Sequence, residues 1–469
     1  MVLEPELVQR VLRVALGTGG RLAEVFAEDR TTTSLRLDDG RVEEVVAGRD
    51  RGAGVRVFHG DTQAYAHTNR MDEAALVRAA EAAASAAGTR TGSVRVVDLA
   101  GASSTGDVPD PITHPVPEPA DGVARDRKVA WLREADDAAR AVAPTVRQVA
   151  VAYFDTRQRV LIADSDGSWV EEDRPRIRLF VSVVAGRDGV MQTGSHGPAS
   201  MGGTELFQRH PPAATAERAA RQAVTMLDGI PAPAAEMAVV IGPGGGGVLF
   251  HEACGHGLEA DHIQKDASVF AGRLGDRLAS PLVNGVDDGT VPGAWGSLAV
   301  DDEGAPTHRT VLFEEGVLVS YLYDRLRAEH DGVPTTGNGR RQSHAHLPIP
   351  RMTNSYILAG DADPEGVIAD TPRGLYARTL GGGQVNPANG DFVFGVAEGY
   401  LIEDGRITSP VRGANLIGNG PAILAAIDAV ATDFETWDGV CGKEGQGVPV
   451  GAGSPTIRIA RMTVGGTDA

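Results

Sequence analysis

Long tracts of this sequence alternate apolar and polar residues with a period of two, and that alternation, set between stretches of helical period, most constrains the fold. Between Ala23 and Ala66 the apolar positions fall at Ala23 and Val25, Leu35 and Leu37, Val42, Val45 and Val46, Val55 and Val57, and Tyr65. Asp38-Asp39-Gly40 supplies a hairpin turn among them. Usual strand lengths predict a meander of about four strands here. A second set of strands is expected from Val146 to Met191, punctuated by Asp164-Ser165-Asp166-Gly167. Helical spacing precedes and separates these tracts. Leu7, Val8, Val11, Leu12 and Ala15 share one face, and an Ala-rich segment runs from Glu73 to about Ala87 behind Asn69 or Asp72 as cap. Further helices are expected over about Arg125–Ala141 and from Thr215, as cap, to about Leu227.

Pro231-Ala232-Pro233-Ala234 cannot continue that last helix and precedes a fresh strand, Ala238–Ile241, so the main domain border is placed there. The expected fold class is α+β. An N-terminal α+β domain spans residues 1–230, with a loop or linker near 98–122 that is rich in Pro, Gly, Ser and Asp. A mostly antiparallel, β-rich C-terminal domain spans 237–469, with hairpin signals at Asp287-Asp288-Gly289, Glu315-Gly316 and Asp404-Gly405. The turn signals are unevenly spaced, which argues against a repeat array.

Composition then removes several function classes. The chain has 44 Lys+Arg against 63 Asp+Glu, a net charge of −19, so direct nucleic-acid binding is not expected. Apolar runs stop short of the roughly 18 residues a membrane span needs, and Glu4 and Glu6 stand where a leader would be basic. The expectation is a cytoplasmic protein without a membrane partner. Two cysteines, Cys254 and Cys441, cannot staple 469 residues, so each is weighed singly.

The chemistry concentrates between Ile241 and Ile263. Gly244 to Gly247 lack the Lys-Ser/Thr of a phosphate loop and read as a turn where backbone passes close to another element. His251-Glu252 followed by His256 is one residue longer than the H-E-x-x-H of ordinary zinc proteases. On a regular helix, positions i and i+5 lie about 140° apart and cannot share a metal. Gly255 and Gly257 flank the second histidine and permit a widened turn or π-bulge that brings it round. A zinc site also needs a third ligand. The residues alone leave several candidates: His262, Cys254, Glu259 or Asp261, His344 or His346, and Cys441. Cys254 reads most simply as a small core residue, and Cys441 as part of an exposed glycine-rich loop beside Lys443.

The stretch G-V-L-F-H-E-A-C-G-H-G-L-E-A-D resembles the metalloprotease signature of the TldD/PmbA family, also described as modulators of DNA gyrase. The resemblance continues through S-V-F-A-G-R-L-G (268–275), V-D-D-G-T (286–290), D-D-E-G-A-P-T (301–307), T-T-G-N-G-R-R-Q-S-H-A-H-L-P-I-P-R-M-T-N (335–354), G-G-G-Q-V (381–385) and C-G-K-E-G-Q. The intact histidine motif resembles the TldD side of the pair. That resemblance implies one Zn²⁺ per motif-bearing chain, held by His251, His256 and Cys441, with Glu252 as the proton acceptor; His262 then drops out as a ligand. It further implies a PmbA/TldE-like partner in a heterodimer, or a second copy in a homodimer, enclosing a cavity that takes short or unfolded peptides. His346, Arg340 and Arg341 are candidates for holding substrate or an oxyanion; ion pairs and turn hydrogen bonds are their structural alternative. Two other functions are weighed: a non-enzymatic modulator of a partner such as DNA gyrase, and a zinc amidase acting on a non-peptide amide. The glutamate beside His251 favours hydrolysis, because a structural zinc site has no use for it.

Overall fold

A computed structural model of the chain describes residues 3–88 and 118–466, together with Val96, Leu99 and Val116. Most of the loop expected near 98–122 lies outside the described residues; its end forms a short turn of helix, Ala120–Gly122.

The two alternating tracts form a single antiparallel sheet. Its strands run in the order Thr62–Thr68, Arg41–His59, Leu22–Asp38, Val146–Asp164, Trp169–Arg187, Val190–His196, with Ala199–Met201 also paired to Trp169–Arg187. The first tract thus holds three strands, not about four. No turn residue interrupts Thr31-Thr32-Thr33-Ser34, so Leu22–Asp38 continues for 17 residues against a partner of 19. The Asp39-Gly40 turn has φ of 49° and 78°, the doubly positive pair that suits the twist of a tight hairpin. Asp72 caps helix Glu73–Ala87 by accepting from the Ala75 amide at 3.1 Å. That helix and Pro5–Ala15 pack on the sheet in one core, where burying Val8, Val11 and Leu12 contributes about 1.5–3 kcal/mol each. Helices Arg125–Val142 and Pro212–Met226 build a second core farther along. The latter begins ahead of Thr215, because Pro212 at its first position is already set at a helical φ.

After Pro231 the chain builds two large sheets and a small two-stranded one, Gly339–Arg340 with Ile349–Pro350. Strand Arg373–Val385 pairs with Ala235–Ile241 on one side and Asp391–Glu403 on the other; Ile457–Gly465 and Asn415–Asn419 complete a closed ring of five strands. The second sheet runs Val317–Leu318, Arg309–Glu314, Gly285–Asp288, Asn354–Ile357, Gln446–Ser454, Glu435–Lys443, leaving Glu435–Lys443 at its edge. Parallel pairing enters only where chain-distant strands meet, as in Asn354–Ile357 with Gln446–Ser454. The hairpin expected at Asp287-Asp288-Gly289 does not form. Asp287 is buried inside a strand, accepting from the Asn338 amide and the Thr353 and Ser355 hydroxyls. The D-D-G signal there marks an internal polar network.

The short helix Gly245–Phe250 lies against Gln446–Ser454 so closely that a Cβ on Gly247 would stand 2.2 Å from the Gly453 nitrogen. This is the close approach expected of the glycine run. Gly247→Ala should therefore lower stability by about 1–3 kcal/mol in a denaturant titration; a change below about 0.5 kcal/mol would contradict the packing. The halves of the chain are joined by buried ion pairs, Arg56 with Glu303, Arg341 with Glu24 and Arg174 with Asp302. The adjoining Asp301 carboxylate accepts from the amides of Glu303, Ala305 and Gly339. Among the described residues no helix is long and apolar enough to cross a membrane.

Candidate metal centre

Helix Gly245–Phe250 passes directly into a π-type turn, His251–Gly255, and then a tight 3₁₀ turn, His256–Leu258. The wider turn brings the sixth residue back toward the first. The His251 and His256 rings stand 5.1 Å apart, nearly perpendicular at 85°. Gly255 itself has ordinary helical dihedrals, φ −50° and ψ −54°, and packs closely on Met352, whose Sδ would lie 2.1 Å from a Cβ placed there.

Cys441 comes from the far end of the chain. It is not in an exposed loop: it lies in edge strand Glu435–Lys443 and is 5 % exposed. The segment after it turns at Glu444-Gly445, with φ of 49° and 74°, and returns as Gln446–Ser454. Cys441 Sγ lies 3.3 Å from Nε2 of His251 and 3.3 Å from Nε2 of His256. A tetrahedral zinc ion with ordinary bond lengths would hold sulfur and nitrogen about 3.5 Å apart, so the three donors fit such an ion. Burial alone would raise the Cys441 thiol, but the charge of His251 and hydrogen bonds from both rings outweigh it and bring the pKa down to about 4. The cysteine is thus favoured as a thiolate, the form that binds metal.

His256 is oriented by a carboxylate. Its Nδ1 lies 3.0 Å from Glu259 Oε2, which directs Nε2 toward the thiolate. Glu259 is fully buried, yet Lys443 and His256 outweigh the cost of burial and lower its pKa to about 2. Lys443 Nζ reaches Glu259 at 3.1 Å and Asp261 at 2.6 Å. Glu259 and Asp261, open as third ligands on sequence grounds, are therefore turned to His256 and Lys443, and Lys443 faces these acids. The spacing H-x-x-E across a tight turn was the available signal for Glu259. Glu259→Gln should weaken zinc binding about 10–100-fold, read by competition with a chromophoric chelator; unchanged affinity would exclude the supporting role.

Glu252 and His262 line the same cavity, of about 500 Å³, as His251, His256 and Cys441. Cys254 is buried, its thiol donating to the Phe250 carbonyl at 3.2 Å, and burial raises its pKa. It packs in the core and is not part of the cavity wall. His346, Arg340 and Arg341 do not line this cavity. Arg340 and Arg341 line a larger one between the two halves, and His346 Nδ1 pairs with the Ser343 hydroxyl at 2.9 Å. His344, the other histidine of that segment, is held by Glu28.

Residues 234–466 match the PmbA/TldA metallopeptidase C-terminal domain, residues 118–227 the central domain and residues 23–87 domain 1. The chain is 40% identical over 454 residues to a metalloprotease TldD homolog of Haemophilus influenzae, covering 95% of this chain and 93% of that one. It is 35% identical to a metalloprotease of Methanothermobacter thermautotrophicus, covering 95% of each. A zinc metalloprotease TldD homolog of Saccharolobus solfataricus is 33% identical over 247 residues, covering 52% of this chain and 55% of that one. In fold, the chain is similar to the crystal structure of TldE from Thermococcus kodakarensis, with a TM-score of 0.74 at 19% identity, covering 98% of this chain and 99% of that one. It is likewise similar to a Thermotoga maritima protein described as a candidate modulator of a DNA gyrase, with a TM-score of 0.78 at 21% identity, covering 98% and 99%.

Proposed function

Since this chain belongs to the PmbA/TldD metallopeptidase family, we propose that it is a zinc-dependent peptidase whose site is His251, His256 and Cys441 with Glu252 as general base. The observation that carries the reading is the convergence of two Nε2 atoms and one thiolate on a single point, with Glu252 on the same cavity wall. Two neutral imidazoles and a thiolate leave a fourth tetrahedral position open. A bound Zn²⁺ supplies the Lewis acidity that makes water nucleophilic near neutral pH. Glu252 accepts the proton of the attacking water and returns it to the leaving amine. Glu259 keeps His256 in the tautomer that presents Nε2.

Substrate selection follows from the edge strand. Glu435–Lys443 has one side unpaired, and three cavities meet along it: the metal cavity, the arginine-walled cavity through Val440, and a third lined by Glu435 to Asp438. Trp437 is 43 % exposed and Val440 59 %. An extended peptide adds there as a further strand, with its main chain paired and its side chains little restricted. Most strands of a folded protein are already paired or shielded at their edges, so an unfolded segment adds to such an edge more readily. This groove favours a peptide over a small non-peptide amide, and Glu252 favours hydrolysis over a purely modulating role. The activity belongs to a dimer, with a TldE-like subunit or a second copy closing the groove, in the cytoplasm. The test is to purify the chain alone and with such a subunit, measure bound zinc, and follow cleavage of unstructured peptides by mass spectrometry. Zinc-loaded protein that cleaves none of them in either form would reject the reading.

A further inference from the structure

Between the N-terminal sheet and the C-terminal half lies a cavity of about 870 Å³ that has Val440 of the edge strand in its wall, as the metal cavity does. Its wall carries seven arginines and two acids, Asp50 and Asp302, in a chain whose net charge is −19. Four of the arginines are paired: Arg30 with Asp50, Arg49 with Asp29, Arg174 with Glu172 and Asp302, and Arg341 with Glu24. The remaining three meet no carboxylate at ion-pair distance among the described residues. Arg176 donates only to the carbonyls of Trp295 (3.2 Å) and Ser297 (3.3 Å). Arg178 donates to that of Asp438 (3.4 Å). Arg340 donates to those of Met352 (2.5 Å) and Pro449 (2.8 Å).

Carbonyls satisfy guanidinium hydrogen bonds without neutralising the charge. Burial and the like charges of Arg174 and Arg340 push Arg176 down to about 9, and burial, partly offset by Asp302, brings Arg340 down to about 10. Unpaired buried charge is costly, so a wall of this kind is accounted for by a ligand that brings the counter-charge. Arginine forks suit a carboxylate in particular. Phe154, Phe180, Trp295 and Leu298 line the same space, matching the apolar body of an organic ligand better than a bare inorganic ion. The cavity also touches the hairpin that carries Cys441: Val440 faces Pro449 across its two strands, both line the cavity, and Arg340 holds the Pro449 carbonyl.

We propose that this cavity is a subsite for a carboxylate carried by a peptide lying along edge strand Glu435–Lys443. It rests on the peptidase reading for the identity of the ligand. The carboxylate comes from the peptide's C-terminus or from an acidic side chain, and either source would bias where the chain is cut relative to negative charge.

The test uses calorimetric titration of full-length Glu252→Gln protein, so that binding is read without turnover. Three forms of one N-acetylated, unstructured octapeptide are compared: a free C-terminal acid, the C-terminal amide, and the amide with one internal glutamate. At least one carboxylate-bearing form should bind about tenfold or more tightly than the neutral amide, the worth of one charge-assisted hydrogen bond. Whichever form gains identifies the source. The gain should fall to nearly nothing in Arg176→Gln and in Arg340→Gln, and persist in part in Arg176→Lys. Equal affinity of all three forms, or no binding of any, overturns the proposal, as does a gain that survives both glutamine variants. If a glutamine variant does not fold, the comparison of the three peptides in the unaltered cavity decides. Cleavage by wild type with no carboxylate preference would remove the subsite and leave the peptidase; carboxylate-dependent binding without cleavage would do the reverse.

Discussion

Glu252→Gln should lower turnover of unstructured peptides by about 10²–10⁴-fold, the usual worth of a positioned general base, while zinc content stays unchanged. Glutamine keeps the size of the side chain and loses only the ability to accept and return a proton. Glu252 neighbours His251 in the widened turn but is not one of the three converging donors, so its replacement leaves the sulfur and both Nε2 atoms in place. The loss should fall on kcat, with KM little changed, because an edge strand binds peptide through main-chain pairing away from Glu252. A Glu252→Gln protein that holds zinc and cleaves at the wild-type rate would remove the general base from the account.

Cys441→Ser should cost more zinc affinity than the roughly 10–100-fold expected for Glu259→Gln, because it removes a donor instead of the group that orients one. A serine hydroxyl is not ionised near neutral pH, whereas the two histidines hold the Cys441 thiol down to about 4. Cys254→Ser is the matched control: its thiol donates to the Phe250 carbonyl inside the core, and zinc should stay at the wild-type level. Competition with a chelator of known affinity reads both variants. Full occupancy in Cys441→Ser would exclude the cysteine, and loss in Cys254→Ser alone would reassign it.

The site was legible in the sequence to the extent that local geometry decides it. The i, i+5 spacing of His251 and His256 rules out a regular helix, and the glycines around His256 point to the widened turn that is found. Cys441 was open among several donors until the family resemblance chose it, since 185 residues separate it from His256 and pairing at that range depends on how strands assemble. Its C-G-K-E-G-Q-G context reads as a loop because glycines dominate, yet Glu444-Gly445 is a hairpin turn of the same kind as Asp39-Gly40. Gly442, where an added Cβ would meet nothing, is a position that glycine alone does not explain. Usual strand lengths predict about four strands in the first tract, but the alternation through Thr31-Thr32-Thr33-Ser34 is unbroken and one strand runs on for 17 residues. The roles of Asp287, Arg56 and Glu303 were hidden for another reason: each is a charged side chain whose burial depends on a partner far along the chain.

The most direct measurement is the zinc K-edge X-ray absorption spectrum of the purified chain. The spectrum should show one sulfur at about 2.3 Å and two imidazole nitrogens at about 2.0–2.1 Å, with one further light ligand, and Cys441→Ser should lose the sulfur shell. A wild-type spectrum with no sulfur in the shell, or with two, would contradict this ligand set.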